Sequence, residues 1–281
     1  VPEGDTIHRI AAALRPVLDG QTIIACACEL AAVDEWQIAG RRVDRVEARG
    51  KNLLVHCAPL VAVAAEGDTA RRAEQLPVVI WTHLGMNGRW SVRAAGSVAL
   101  RSGPRPSLVL HTQTHAAVCT RPEILKFLGP RGLLRSRTLA QLGPDLLDPG
   151  ADLDEAVTRL RALGEIALGD AIMRQSAVAG IGNVYKSELL FLDRRDPFSP
   201  VGALAAAELR ALLERGRDLM RLNLDRGGPR RTRFEGRARL WVYKRSGRPC
   251  RMCGESIEMR RQGRLARSTY YCPRCQAHSA S

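Results

Sequence analysis

Residues 249–275 read PCRMCGESIEMRRQGRLARSTYYCPRC. Two Cys-x-x-Cys pairs, Cys250/Cys253 and Cys272/Cys275, flank eighteen residues, a spacing in the range of zinc ribbons. Two thiolates from each of two knuckle-like turns close a tetrahedron around one Zn2+ with no open coordination position, which makes such a metal structural. The segment between the pairs is strand-like at its ends and basic in its middle. It reads as a β-hairpin whose loop carries Arg260, Arg261, Arg264 and Arg267. Two disulfides or four unrelated thiols are the alternatives, and a reducing compartment favours the metal. Cys26, Cys28, Cys57 and Cys119 read as small buried hydrophobes. Cys26 and Cys28 alternate with alanine, which suits a strand better than a metal site.

The ribbon lies in a strongly basic tail. The chain has 281 residues and a formal net charge of +14. From Arg226 to Ser281 there are fifteen basic residues and three acidic ones, a net +12. An excess concentrated in the last fifth of a chain favours a polyanionic partner, through phosphate contacts and counterion release; a solubilising basic tail is the blander reading. Hydrophobic residues make up 45% and charged ones 26%, which excludes wholesale disorder. Apolar stretches such as Leu60–Ala65 fall far short of the roughly 20 residues that span a bilayer. The opening VPEGDTIHR has no apolar core of a signal peptide. The expectation is a soluble, cytoplasmic, monomeric protein with no membrane partner.

Towards the N-terminus the texture changes twice. Residues 5–19 place Ile7, Ile10, Ala11 and Leu14 at helical spacing, with Asp5 as an N-cap. Six β-like runs follow: QTIIACACEL, RRVDRVEARG, NLLVHCA, PVVIWTHLG, GRWSVRA and SLVLHTQTHAAVCT. Short strands at this spacing predict a β-sandwich or barrel to about residue 130. Residues 58–77 read as a hairpin insertion or loop. LGPDLLDPG (142–150) is a linker, and beyond it DLDEAVTRLRALG, EIALGDAIMRQ, NVYKSELLFLD and LAAAELRALLERGRDLMRLNLD are helical patterns. The Ala-rich part of the last is an ordinary amphipathic helix. The fold class is therefore α+β: an N-terminal β-sandwich with a leading helix, then a helical domain ending in the zinc-ribbon hairpin. The expected division is 1–134, a linker at 135–150, 151–235 and 236–281.

Two short motifs bear chemistry. In Ala179-Gly180-Ile181-Gly182-Asn183, two glycines between helices make a tight turn, with Asn183 placed to cap the next helix. Such a helix N-terminus is suited to clamp a phosphate, although a glycine turn is more often only a turn. Pro2-Glu3-Gly4 precedes any secondary structure. As a terminus, proline offers a secondary amine, and an α-amino group titrates near 8. Attack on an aldehyde-level carbon gives an iminium, an electron sink. Glu3 beside it is a general acid/base candidate. Read alone, a frayed terminus is the commoner case.

VPEGDTIHR, RGK (49–51), THLGM (82–86), GPDLLDP (143–149), AGIGNVYKSELLF (179–191) and VYKRSGRPCRMCG…RSTYYCPRCQ (242–276) occur in one order. Together they resemble the formamidopyrimidine-DNA glycosylase/endonuclease VIII family over nearly the whole chain, apart from 58–77. The resemblance implies a bifunctional DNA glycosylase/AP lyase of base excision repair, with a helix–two-turn–helix domain and double-stranded DNA carrying oxidised bases or abasic sites as partner. Pro2 matches the nucleophile that attacks C1′ of a nucleotide flipped from the duplex. Glu3 matches the proton donor for base loss. Lys51 matches the proton donor for β-elimination. Arg267 matches a zinc-loop arginine that grips phosphate and serves δ-elimination. Asn183 matches a DNA-binding asparagine, and Met86 a side chain that fills the void left by the extruded base. The zinc aims Arg267 and does no chemistry.

Three departures matter. The chain opens with Val1 where the family has methionine, and a removed initiator is expected, since a retained Val1 would make the Pro2 nitrogen an amide. CTRPEILKF (119–127) lacks the Arg-Arg-Phe loop of formamidopyrimidine-type members. With the opening EGDTI, this leans towards oxidised pyrimidines such as thymine glycol over 8-oxoguanine, while HLGM leans the other way. Positions where some endonuclease VIII proteins use an arginine and a glutamine hold Gln141 and Gly85, and neither is claimed as a site. Two rival functions remain. One is a catalytically silent DNA binder. The other is a zinc hydrolase or deaminase, which needs an open metal position and, for a deaminase, an H-x-E that the sequence lacks.

Overall fold

The computed structural model of the chain describes residues 2–60, 76–96, 105–225 and 228–277. Most of the 58–77 segment, residues 61–75, therefore lies outside the described residues. The described chain divides into two compact units. One covers Thr6–Ala140 and takes in Pro2; the other begins at Gln141 and takes in Glu3–Asp5.

The first unit is built from helix α1 (Gly4–Leu18) from Thr6 onward and eight strands. One antiparallel sheet has the order β1 (Ala25–Cys28), β6 (Leu108–His111), β7 (His115–Thr120), β5 (Arg89–Ala94). The other has the order β2 (Val43–Arg49), β3 (Asn52–Cys57), β4 (Val78–His83), β8 (Ile124–Leu128). One core holds Ile7, Ala11, Leu14 and Leu18 from α1, Val46, Leu53, Val55 and Ile80 from one sheet, and Leu108, Leu110, Ala117 and Cys119 from the other. Helical spacing in α1 and strand alternation thus deliver side chains to one shared interior. The run SLVLHTQTHAAVCT is a hairpin, with Leu108 opposite Cys119 and His111 opposite Ala116.

Three differences from the sequence reading have local causes. The helix begins at Gly4, so Asp5 is not its N-cap but a fully buried member of the first turn. An eighth strand lies within the stretch that carries no β signal of its own; Pro122 and the exposed Lys126 disguise it, yet it pairs with β4 from Val79–Leu128 to His83–Ile124. Two short helices, α2 (Pro130–Arg135) and α3 (Arg137–Ala140), follow; α2 opens with Pro at its first position, where the missing N–H costs nothing.

The second unit packs α4 (Leu153–Arg161), α5 (Leu168–Ala171), α6 (Asn183–Leu192) and α7 (Ala206–Arg221) around Leu146, Leu160, Ile172, Tyr185, Leu189, Leu212 and Met220. Asp152 caps α4 through the N–H groups of Asp154 and Glu155. Eight consecutive residues of α6, Val184–Phe191, are buried. Strands β9 (Glu258–Gln262) and β10 (Arg267–Tyr271) form the terminal hairpin over a small core of Phe191, Val242, Cys250, Ile257 and Cys272. The α+β reading holds: β sheets first, helices next, a cysteine-bearing hairpin last.

Ile80 sits fully buried in an interior strand. Ile80→Ala is expected to destabilise the first unit by about 2–5 kcal/mol, to be read from urea unfolding followed by circular dichroism.

Candidate active site

Glu3 is fully buried although it stands one residue after Pro2. Its carboxylate accepts the N–H groups of Val184 (2.8 Å), Gly182 (3.1 Å) and Tyr185 (3.2 Å) at the start of α6. These are orphan donors at the positive end of a helix dipole, where an anion is favoured. The glycines make the approach possible. A Cβ on Gly182 would lie 2.3 Å from Glu3 Cδ, and one on Gly4 would lie 2.8 Å from Gly180 Cα. Gly180 takes φ +104°, and its carbonyl accepts the Gly4 N–H at 2.9 Å.

Two expectations change here. Gly182, not Asn183, is the N-cap residue of α6, and it offers no side chain to cap with. The cap is supplied by Glu3, so these three amides are occupied by the protein's own carboxylate rather than presented as a phosphate clamp.

Beside Glu3 lies a second buried acid. Asp5 accepts two bonds from the Arg230 guanidinium, one at 2.8 Å, and a third from the Tyr185 hydroxyl at 3.2 Å. Arg230 Nη1 stands 4.0 Å from Glu3 Oε1, and the guanidinium lies over the Tyr185 ring at 4.9 Å. Burial works against the arginine's charge, but Glu3 and Asp5 outweigh it and raise its pKa. Burial, reinforced by Asp5, likewise raises the Tyr185 phenol.

Asn183 heads α6 and donates Nδ2 to the Ser268 carbonyl at 2.8 Å. Lys186, one turn on, donates Nζ to Thr269 Oγ1 (2.7 Å) and to the Ser268 carbonyl (3.2 Å). The Tyr270 N–H donates to Ser187 Oγ at 3.3 Å. The polar edge of α6 therefore holds β10 immediately after Arg267, which is exposed at the strand's first position, opposite Gln262. Burial, with help from Arg267, pushes Lys186 down to about 8. The hairpin arginines are placed differently from the sequence reading. Arg260 and Arg261 belong to β9, Arg267 opens β10, and only Arg264 lies in the turn. An exposed two-stranded ribbon tolerates basic residues along its length, so charge did not mark the loop.

The four ribbon sulfurs lie within 4.8 Å of one another, with Cys250–Cys275 at 3.9 Å and Cys253–Cys272 at 3.5 Å. Zn–S bonds of about 2.3 Å in a tetrahedron require sulfurs about 3.8 Å apart, so the residues fit the ion. All four are free thiols, as are Cys26, Cys28, Cys57 and Cys119. Burial first, and nearby acidic groups or thiols after it, push Cys26 and Cys119 up to about 12. That suits inert packing groups.

The first unit carries the other sequence-derived candidates. Pro2 is half-buried ahead of α1. RGK is the tip of the β2–β3 hairpin, where Arg49 pairs with Asn52. Gly50 takes φ +61°, as the first position of a two-residue type II′ loop demands, and this puts Lys51 at the tip. Buried Asn52 locks the turn, donating to the Arg49 carbonyl and accepting Trp81 Nε1 at 2.9 Å. Asn52 pairs with His83 across the strands. His83 joins Lys51 at this edge, and its pKa is lowered by burial, with Lys51 adding to the effect against Glu123. Sequence reading passed over His83; the strand register that sets it beside Lys51 was the missing signal. Met86 is 73% exposed in the turn after β4, not part of a core. The candidates thus form two sets. Glu3, Asn183 and Arg267 belong to one unit, Pro2, Lys51 and Met86 to the other.

Three family models match the chain. "Formamidopyrimidine-DNA glycosylase N-terminal domain" covers residues 1–135, "Formamidopyrimidine-DNA glycosylase H2TH domain" 142–234, and "Zinc finger found in FPG and IleRS" 247–277. "Probable endonuclease 8 2" of Streptomyces coelicolor is 37% identical over 100% of this chain and 95% of its own length. "DNA-(apurinic or apyrimidinic site) lyase Nei2" of Mycolicibacterium smegmatis is 35% identical over 99% and 100%. Among solved structures, Lactococcus lactis formamidopyrimidine-DNA glycosylase, non-covalently bound to DNA containing an AP site, matches with a TM-score of 0.77. It is 18% identical and covers 98% of this chain and 99% of that one, a likeness of fold.

Two measurements follow. Atomic absorption should find zinc in the purified chain, and a mercurial titrating the ribbon thiols should release it and lower the thermal midpoint, because Cys250 and Cys272 belong to the hairpin core. Lys186→Met leaves both former acceptors engaged, since Asn183 still donates to the Ser268 carbonyl and Thr269 donates to Gln262. Because the folded-state pKa of about 8 lies below the ordinary value of 10.5, the charged lysine weakens the fold fully below pH 8. The wild type should gain stability relative to the variant as pH rises from 8 towards 10.5, as read from urea midpoints.

Proposed function

Because this chain belongs to the formamidopyrimidine-DNA glycosylase/endonuclease VIII family, we propose that it is a bifunctional DNA glycosylase/AP lyase acting on oxidised bases and abasic sites in double-stranded DNA. In this reading the Pro2 amine attacks C1′ of an extruded nucleotide, the bond to the base breaks, and an iminium links sugar to protein. The iminium acidifies the C2′ proton, so β-elimination opens the strand on one side and δ-elimination on the other. Glu3 donates the proton for base loss, Lys51 serves β-elimination, and Arg267 grips phosphate and serves δ-elimination. Asn183 binds the backbone. Met86, exposed and apolar, enters the vacated stack.

One observation carries this reading: the second residue of the candidate pair is held by three backbone N–H groups through glycines that admit nothing larger than hydrogen. A terminus without a task frays; here Glu3 is fixed, and with it the residue bonded to its nitrogen. The chemistry requires a free Pro2 amine, hence a mature chain that begins there.

One zinc ion held by Cys250, Cys253, Cys272 and Cys275 would be structural, its four thiolates leaving no open position for chemistry. The working form is proposed to be a monomer. For substrate, oxidised pyrimidines are favoured over 8-oxoguanine and formamidopyrimidines. The region where purine-type members carry Arg-Arg-Phe, CTRPEILKF (119–127), lacks that triplet, and the two relatives named above carry lyase or endonuclease 8 names.

Sodium borohydride trapping on an abasic-site duplex tests the mechanism. The wild type should give a covalent adduct of mass equal to the chain lacking Val1 plus the trapped fragment. Pro2→Gly should sharply reduce both adduct and base release, and Glu3→Gln should reduce base release from a lesion-bearing duplex on the order of a hundredfold or more. Duplex affinity should fall steeply with salt. On matched duplexes, thymine glycol and 5-hydroxycytosine should be excised faster than 8-oxoguanine opposite cytosine. No adduct, an adduct retaining Val1, or the reverse lesion order overturns the corresponding part; duplex binding with no adduct identifies a silent binder.

A further inference from the structure

The geometry points to the buried Asp5–Arg230 pair as a positioning device for the Pro2–Glu3 active terminus, an inference that rests on the function just proposed. The pair lies in a closed polar ring. Arg230 holds Asp5 through two hydrogen bonds, Asp5 accepts the Tyr185 hydroxyl, and the Tyr185 oxygen accepts Asn223 Nδ2 at 3.1 Å. Asn223 closes the ring from the other side. Its Nδ2 donates to the Arg231 carbonyl at 2.7 Å and its Oδ1 accepts the Arg231 N–H at 2.8 Å. The residue next to Arg230 is thereby fixed to the end of α7, and the guanidinium is aimed rather than merely attracted.

The ring touches the terminus at two points. Asp5 is two residues from Glu3 in the first turn of α1. Arg230 stands 4.0 Å from Glu3 Oε1 itself. Glu3 is drawn in one direction by the α6 amides, and the turn that bears it is anchored in another by Arg230. Two anchors either side of Gly4, whose own N–H is bound to Gly180, leave the Pro2 peptide little rotational freedom. Stability alone is a poor account of the pair. Asp5 is fully buried and the Arg230 side chain 10% exposed; removing two charges from water is expensive, and apolar residues of equal volume often serve a fold as well or better. A bidentate fork gives what apolar packing does not, a fixed orientation.

The test measures single-turnover borohydride trapping on an abasic-site duplex, alongside duplex affinity and thermal midpoint, for wild type, Arg230→Ala, Arg230→Lys and Asp5→Asn. Misplacing a reacting group by about 1 Å can cost on the order of a hundredfold in rate. Arg230→Ala should therefore trap about a hundredfold more slowly with duplex affinity unchanged, and Arg230→Lys, which keeps the charge but not the fork, should fall between it and wild type. Millimolar guanidinium should restore trapping by Arg230→Ala saturably, while sodium at equal ionic strength and urea should not. Should Arg230→Ala not fold, Asp5→Asn, nearly isosteric, decides by the same split of slow trapping at unchanged affinity. Trapping at the wild-type rate in these variants, or a loss that follows the folded fraction and resists guanidinium, overturns the inference and leaves the Pro2 mechanism standing. A wild type that gives no adduct overturns both.

Discussion

Glu3 sets its carboxylate on the N–H groups of Gly182, Val184 and Tyr185, and the surrounding structure is organised to permit that contact. A buried carboxylate without partners is very costly. Three backbone donors at a helix N-terminus supply charge-assisted bonds worth about 1.5–3 kcal/mol each. They also relieve α6 of orphan amides that have no side-chain cap, since the residue at the cap is glycine. One interaction thus meets two needs. It dictates small residues on both sides: Gly182 where a Cβ would strike Glu3, Gly4 where a Cβ would strike the Gly180 backbone, and Gly180 itself at φ +104°.

Helix α6 connects that contact to the ribbon. Its first residue, Asn183, and its fourth, Lys186, both donate to the Ser268 carbonyl, while amides of its first turn hold Glu3. Helical geometry fixes these groups relative to one another, so α6 serves as a rigid ruler between the candidate acid and the strand that begins with Arg267. Midway along it, Glu188 is buried and accepts the N–H groups of Trp241, Val242 and Tyr243 and the Thr232 hydroxyl. Burial raises its pKa against those bonds. The acid ties the approach to the ribbon onto the same helix, and Phe191 enters the ribbon core.

What could be read from sequence follows the range of the interactions. Helix α1 and most strands were legible because their signals are local, three or four residues apart in Ile7, Ala11 and Leu14 and alternating in the strands. The four cysteines were legible because metal geometry restricts spacing. Strand β8 was not, because Pro122 and Lys126 break the local pattern and only pairing with β4 makes a strand of it. The Glu3 anchor joins residues about 180 positions apart, beyond any spacing rule. Arg230 was hidden differently. In a segment as basic as 230–239, composition reads every arginine as a solvated charge, and nothing local marks the one aimed at Asp5. His83 lay inside a quoted motif, yet its place beside Lys51 depends on a register that sequence does not print.

The AGIGN turn shows why motif and mechanism must be argued separately. Glycines ahead of a helix suggest a site for a phosphate, because free amides and the dipole favour an anion. Here the anion is internal. Asn183 Nδ2 and the Lys186 ammonium likewise bond within the unit, to β10. If a nucleic-acid backbone is read near this turn, Arg267 is exposed to meet it beside Asn183, and the turn also holds the strand that bears that arginine. The positive end of α6 is then matched to the buried Glu3, and the exposed charge is left for the ligand. A terminal nucleophile, as proposed for Pro2, would have one covalent neighbour to restrain it, and the α6 amides act on that neighbour.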